Sequence, residues 1–224
     1  MACVGIVGGL GVGATVHYYE KITAACKARG VVSDLVIIHA DVDHGQGLVR
    51  AGKLDELADY LAGFIERMGR AGAEVAVMPA VTPHICIAQL LKRTRVPFIN
   101  IVDPIGAELR ARKLRRVALF GTVFTVEGGL WGQLSGVAIV KPQPDEIAFI
   151  GQAYQRILDT QRGNDADTVG LRRIAADLQR RDGVEAILLA GTDLAVIFDE
   201  ANAGFPAVDV ARLHIDAIVE RLAG

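Results

Sequence analysis

Short apolar runs alternate along the chain with longer stretches in which apolar residues return every three or four positions. Residues 4–7 form the first run, closed by Gly8-Gly9-Leu10-Gly11. Over 14–29, Val16, Tyr19, Ile22 and Ala25 keep helical spacing as far as Gly30, a helix-ending signal. Residues 35–38 read as a second strand and 39–47 as a polar loop. Residues 54–71 carry the strongest amphipathic pattern, with Leu57, Tyr60, Leu61, Phe64, Ile65 and Met68 on one face and Gly72 at the end. A third strand, 75–78, opens into Pro79-Ala80-Val81-Thr82-Pro83-His84 and a helix over 85–93. A fourth strand, 97–102, ends at Asp103-Pro104 before a helix over 105–112.

The same order then returns. Residues 117–120 predict a strand, 121–125 a loop leading to a short helix, 137–140 a strand and 145–160 a helix. Residues 161–168 are polar and predict an exposed turn. They are followed by a helix over 169–181, a strand over 186–189 and a helix starting over 194–200. A strand over 206–208 and a helix over 210–222 complete the chain. Strands alternating with helices specify the α/β class, with parallel sheets covered on both faces. Four strand-and-loop pairs match between the halves in one order: 4–9 with 117–122, 36–38 with 137–139, 75–82 with 186–193, and 101–103 with 207–209. That order indicates a duplicated α/β half. Two such halves facing each other are expected to bring their strand-end loops around one small-molecule cleft.

Composition changes this picture little. Hydrophobic residues make up 51% and charged residues 22%, and the net charge is −2, so nucleic acid is not an expected partner. The densest basic run, Arg110 to Arg116, falls at a predicted helix end, where cations complement the helix dipole and face solvent. The three cysteines have neither paired nor CxxC spacing, which suits a reducing cytoplasm. The opening residues resemble neither a signal peptide nor a membrane span, and no membrane association is expected.

The candidate chemistry lies in the strand-end loops. Gly9 and Gly11 belong to a loop that is either a tight turn or an anion seat of backbone N–H groups. It is a loose dinucleotide-binding match, because Ile38 is followed by His39-Ala40-Asp41 with no acid at the ribose position. Thr82, Thr122, Thr125 and Thr192 each read singly as helix caps, and together as a binding set for a small anionic ligand. Asp193 and His84 are candidate base and acid, each with a helix-start alternative. Cys86 is either a thiolate lowered by a helix N-terminus or a buried inert thiol. Asp103 and Asp209 read as caps. His39, Asp41, Asp43 and His44 have a spacing that permits a metal site without being diagnostic of one, and no metal is expected.

These loops resemble the aspartate/glutamate racemase superfamily. Gly8-Gly9-Leu10-Gly11 with Ala14-Thr15 and Tyr18-Tyr19 resembles its opening motif. Residues 78–84 resemble M-P-C-N-T-A-H, 121–125 GTxxT, 189–193 L-G-C-T-E, and 209–214 D-T-T-x-x-H. The resemblance covers the whole chain. It implies two lobes related by a pseudo-twofold, 1–98 with 210–224 returning to it, and 99–209. It also implies a small carboxylate substrate, no cofactor, and a homodimer. Such enzymes use two cysteines, one per lobe, to remove and return the α-proton. Here the matching positions are Ala80 and Gly191, with Val81 in place of the neighbouring asparagine and Asp193 in place of the glutamate. The resemblance therefore implies substrate contacts from Gly9, Gly11, Ala80, Val81, Thr82, Thr122, Thr125, Gly191 and Thr192. It leaves Asp193, His84 and, in reserve, Cys86 to carry catalysis. The expected function is a cofactor-independent isomerase, lyase or hydrolase acting on a small carboxylate, with an inactive ligand binder as the alternative.

Overall fold

The computed structural model describes residues 2–224. The chain forms two compact units, one running as far as Ile101 and joined by Leu213–Gly224, the other spanning Val102–Arg212. The first contains β1 (Val4–Gly8), α1 (Val12–Ala28), β2 (Leu35–His39), α2 (Val42–Arg50), α3 (Leu54–Arg70), β3 (Val75–Val77), a 3₁₀ turn (Thr82–Cys86) and α4 (Ile87–Leu90). The second contains α5 (Asp103–Ala111), β4 (Arg116–Phe120), α6 (Val123–Gly128), β5 (Ala138–Ile139), α7 (Pro144–Thr160), α8 (Asp165–Asp182), β6 (Ala186–Leu189), a 3₁₀ turn (Thr192–Val196) and β7 (Ala207–Asp209). The last helix, α9 (Val210–Ala223), begins in the second unit and ends in the first. No helix among the described residues is long and apolar enough to cross a membrane.

Each unit is built on one parallel sheet, ordered β2-β1-β3 in the first and β5-β4-β6-β7 in the second. Val4 pairs with both Leu35 and Val75, and Val117 with both Ile139 and Ala186. β1 and β6 are buried along their whole length, as expected of strands covered on both faces. In the first unit α3 supplies Leu57, Leu61, Ile65 and Met68 to the core, each at most 1% exposed. Its acidic first turn and basic last turn suit the helix dipole. Phe120, Phe198 and Phe205 stack edge to face in the second core.

Several expected elements change. The stretch expected as a polar loop, 39–47, is mostly the helix α2. Asp41 caps it, its Oδ1 accepting the N–H groups of Asp43 (2.9 Å) and His44 (3.2 Å). The Tyr60 hydroxyl accepts the Asp41 N–H at 2.7 Å, and His44 stacks on the Tyr60 ring, tying α2 to α3. The strand expected over 97–102 is reduced to one bridge between Ala76 and Phe98. Pro97 has no N–H to extend the ladder, and the chain turns into α5 soon afterwards. The turn expected over 161–168 is shorter, because Asn164 caps α8 through the Asp167 N–H (2.8 Å). Asp103 is the first residue of α5 and not its cap. Asp209 does cap, accepting the Arg212 N–H at 3.0 Å.

Replacing Asp41 with Ala removes the α2 cap and should cost about 1 kcal/mol. Equilibrium urea unfolding followed by far-ultraviolet dichroism measures this as a lower midpoint at unchanged slope.

Candidate functional site

The two strand-end stretches of interest fold alike. In each, a buried strand leads through a bend into a 3₁₀ turn, where longer helices were expected over 85–93 and 194–200. The bends carry equivalent backbone bonds. The Ala80 N–H reaches the Met78 carbonyl and the Ala190 N–H the Leu188 carbonyl, both at 2.8 Å. The His84 and Leu194 amides then bond Val81 and Gly191, both at 2.9 Å. From Val75, paired with Val4, to Thr82 the chain takes one residue more than from Ala186, paired with Val117, to Thr192.

In the first unit the glycine loop is stapled to its own helix. The Gly9 N–H donates to Thr15 Oγ1 (3.0 Å), and that hydroxyl donates to the Gly11 carbonyl (2.8 Å). Gly9 has φ +83°, and a Cβ there would lie 2.3 Å from the Ala40 carbonyl oxygen, so only glycine fits. The Gly9 amide is thus engaged within the fold, which fits the tight-turn reading of this loop and leaves that amide out of an anion seat.

His84 is fully buried. Its Nδ1 lies 2.8 Å from the Ala80 carbonyl, which only accepts, so Nδ1 carries the hydrogen. His214 is also buried, and its Nε2 donates to the Ile99 carbonyl (3.2 Å). That leaves Nδ1 to accept the Tyr18 hydroxyl at 3.1 Å. Burial pulls the His84 pKa down to about 4, with the Ala80 and Val81 backbone opposing it. Burial and the neighbouring His84 charge bring His214 to about 3. Both are neutral imidazoles near pH 7, which removes the proton that an acid role for His84 requires. Of the two readings of Cys86, the structure fits the buried inert thiol. Its thiol is buried, donates to the Pro83 carbonyl (3.2 Å), and is pushed up to about 12 by desolvation. Cys3 and Cys26 are buried and raised in the same direction.

In the second unit Thr122 caps α6. Its Oγ1 accepts the Thr125 N–H (3.2 Å) and its hydroxyl donates to Thr125 Oγ1 (3.1 Å). Asp193 is 1% exposed, and its Oδ2 accepts the Tyr154 hydroxyl at 3.1 Å. Tyr154 extends from the buried face of α7, among Ile147, Ile150, Ile157 and Leu158. Desolvation, then the Asp193 charge, holds its pKa well above the usual range, so it stays a phenol. A Cβ on Gly191 would lie 2.2 Å from Tyr154 Cε2 and 2.9 Å from the Gly121 Cα. The tyrosine ring therefore fills the space that a side chain at 191 would need. The pattern missed Tyr154, which reads as core. The signal was present, since a tyrosine in a buried aliphatic stripe needs a partner for its hydroxyl.

The remaining candidates keep their loop positions, Ala80 and Val81 buried in the first bend and Thr192 buried in the second. Thr82 is half-buried at the start of its 3₁₀ turn. The polar cluster after β2 is dispersed in its roles. Asp41 caps α2, His44 stacks on Tyr60, and His39 lies against Gly9. No group of three metal-binding side chains is assembled among the described residues.

Parallel sheets with glycine- and threonine-bearing turns at the strand ends define an α/β protein. A model of the Asp/Glu/Hydantoin racemase family matches residues 7–218, and the chain belongs to that family. Its fold is shared with an Asp/Glu racemase candidate from Yersinia pestis (TM-score 0.85, 21% identity, 100% of each chain covered). It is also shared with an aspartate racemase homologue from Pyrococcus horikoshii (TM-score 0.81, 22% identity, 100% of each chain). A third likeness is to the aspartate racemase of Picrophilus torridus (TM-score 0.74, 20% identity, 100% of this chain and 95% of that one).

Two outcomes follow from this geometry. Because the unfolded chain protonates His84 and His214 near pH 6.5 and the folded chain only near 4 and 3, stability is full above pH 6.5 and is lost on acidification. The slope approaches about 2.7 kcal/mol per pH unit for two such groups. Urea midpoints measured between pH 6.5 and 5, above the carboxylate range, should show it, and His214→Gln should roughly halve it. Separately, Gly191→Ala should destabilise by about 1–3 kcal/mol through overpacking against Tyr154. A double-mutant cycle with Tyr154→Leu should recover part of that loss.

Proposed function

We propose that this family member is an enzyme that performs cofactor-independent proton chemistry on a small carboxylate without thiols, as an isomerase, lyase or hydrolase. Asp193 acts as the base in this reading. The observation that carries it is the Tyr154–Asp193 pair: a carboxylate stands beside the one position in the second unit where family chemistry would call for a cysteine, and Tyr154 fills that cysteine's space. The three thiols are all buried with raised pKa values, which supports chemistry that does not use them.

In this mechanism Asp193 takes the proton from the carbon next to the substrate carboxylate. Negative charge then develops on that carboxylate. Threonine hydroxyls and loop N–H groups stabilise it, as donors aimed at developing charge do most effectively in a dehydrated site. The Tyr154 phenol holds the Asp193 carboxylate in one orientation, and the protonated Asp193 then delivers the proton to a second carbon of the delocalised anion, which gives an isomer, or to a departing group, which gives elimination. The dimer and the cytoplasmic setting expected above belong to the same proposal.

A second reading, a ligand binder without catalysis, draws support from the first unit. There His84 is neutral and Cys86 stays a thiol near pH 7, so neither exchanges protons readily. The two readings separate in deuterated water. A panel of small carboxylates is followed by proton magnetic resonance for loss of the α-hydrogen signal or for consumption, alongside melting temperatures. Catalysis predicts exchange or turnover of at least one compound, falling about 10²–10⁴-fold in Asp193→Asn. Raised melting temperatures with no exchange in any compound assign the chain to binding. Activity that survives Asp193→Asn removes Asp193 from the base role.

A further inference from the structure

The basic run at 110–116 divides by what the fold uses. Arg112 bonds Glu108 (2.7 Å), both oxygens of Glu200 (2.9 Å each) and the Ala207 carbonyl. Arg116 bonds the Asp182 carbonyl through two nitrogens. The side chains of Arg110, Lys113 and Arg115 make no hydrogen bond or ion pair with any described residue. These three instead line one cavity of about 400 Å³, with Leu109, Leu114, Ser135, Gly136 and Val137.

The cavity has a structural cause. α5 ends with Lys113 in the left-handed region, at φ +58°. The Lys113 N–H returns to the Arg110 carbonyl (3.1 Å) and the Leu114 N–H to Leu109 (2.9 Å). This paired bonding is a helix end that glycine normally occupies, and it brings together the two leucines that flank it. A lysine at that position costs backbone strain where glycine would cost none. Local negative charge is less than the cations supply. The Glu185 carboxylate lies near Arg115 but is bonded by the Arg115 and Arg116 amides at 2.6 and 2.8 Å. The end of α5 adds about half a negative charge. Three cations against roughly one and a half negative charges leave a positive excess over an apolar floor, in a volume suited to a small ligand.

We infer that this cavity is a binding site for a small organic dianion with an apolar body, either a phosphate monoester or a dicarboxylate. Arg110 and Lys113 take the charged end, and Leu114 and Val137 take the body. The site lies within the second unit and shares no residue with the Tyr154–Asp193 pair, so it stands whether or not the proposed chemistry does.

The test uses phenyl phosphate and phthalate, with inorganic phosphate (no apolar body) and benzoate (one charge) as comparisons. The one tryptophan, Trp131, lies four positions before Ser135. Its indole packs so closely on Gly128 that a Cβ there would be 2.5 Å from Nε1, which makes its fluorescence a local reporter. Titration calorimetry runs in parallel, so that a silent fluorophore does not hide binding. The expected result is saturable binding of at least one organic dianion at about millimolar concentration or below, some tenfold tighter than either comparison compound, and weakened by salt. Binding of phenyl phosphate alone or phthalate alone identifies which dianion the site takes. Lys113→Gly and Arg110→Gln should each weaken binding about tenfold. Lys113→Gly should at the same time raise the melting temperature by relieving the strained φ, an effect opposite to that of losing a structural lysine. Asp193→Asn should bind as the parent does. The inference is overturned if neither method detects binding at about 10 mM, if Arg110→Gln and Lys113→Gly bind like the parent, if inorganic phosphate binds as tightly as phenyl phosphate, or if Asp193→Asn abolishes the signal.

Discussion

Burial of the central strands on both faces is the constraint on which the rest depends. β1 in one unit and β6 in the other are inaccessible along their length, and their ladders satisfy the backbone. Polar groups therefore collect where the strands end. There the backbone bends into short 3₁₀ turns whose N–H and C=O groups still need partners inside a largely dehydrated region. His84 gives its Nδ1 hydrogen to the Ala80 carbonyl, His214 bridges Tyr18 and Ile99, and Asp193 takes the Tyr154 hydroxyl. The perturbed pKa values follow from this placement. The burial that keeps strands straight and apolar also holds both imidazoles neutral and the Cys86 thiol protonated.

Gly191 and Tyr154 form a single structural decision. A side chain at 191 and the tyrosine ring compete for one space, with the Gly121 backbone closing the other side. With glycine at 191, an aromatic residue on α7 reaches the strand end and its hydroxyl reaches Asp193. The first unit is built differently. Its corresponding bend carries Ala80 and Val81, with a neutral histidine behind them. The two halves share backbone bonding but have diverged in chemistry, one toward a carboxylate with a phenol partner and the other toward a neutral hydrogen-bonded network. Under the proposed reading, this asymmetry places proton removal on a single carboxylate, unlike a pair of matched thiols acting from opposite sides.

The sequence pattern revealed those features that depend on periodicity. The alternation of strands and helices, the apolar face of α3 and the repetition of strand-and-loop pairs were all readable, because burial imposes a period. What it concealed depends on single partners. α2 lay hidden in a polar stretch because Asp41, a polar residue, caps it, and because the tie to α3 is one tyrosine hydroxyl. The strand expected at 97–102 failed because Pro97 has no N–H to donate, although the run is apolar. Tyr154 was masked because its spacing on α7 is that of core, and only the need of a buried hydroxyl for a partner sets it apart. Of the two readings open for Cys86, burial decided for the inert thiol, because it outweighs proximity to a turn.

The basic run shows why charge in sequence is a poor guide to charge in the fold. Five cations within seven residues read as one solvated patch at a helix end. The helix end itself separates them. Arg112, one turn after Glu108, is drawn into a network with Glu200 and Arg212. Arg116 enters β4 and bonds the end of α8. Lys113 occupies the left-handed reversal between them, and that reversal sets Leu109 against Leu114. If the cluster served only to complement the helix dipole, about half a charge would need an answer, and any one of Arg110, Lys113 and Arg115 would exceed it. The remaining cations have no such structural account. A lysine that keeps a strained backbone angle beside an apolar hollow is better explained by a negatively charged partner than by solvent.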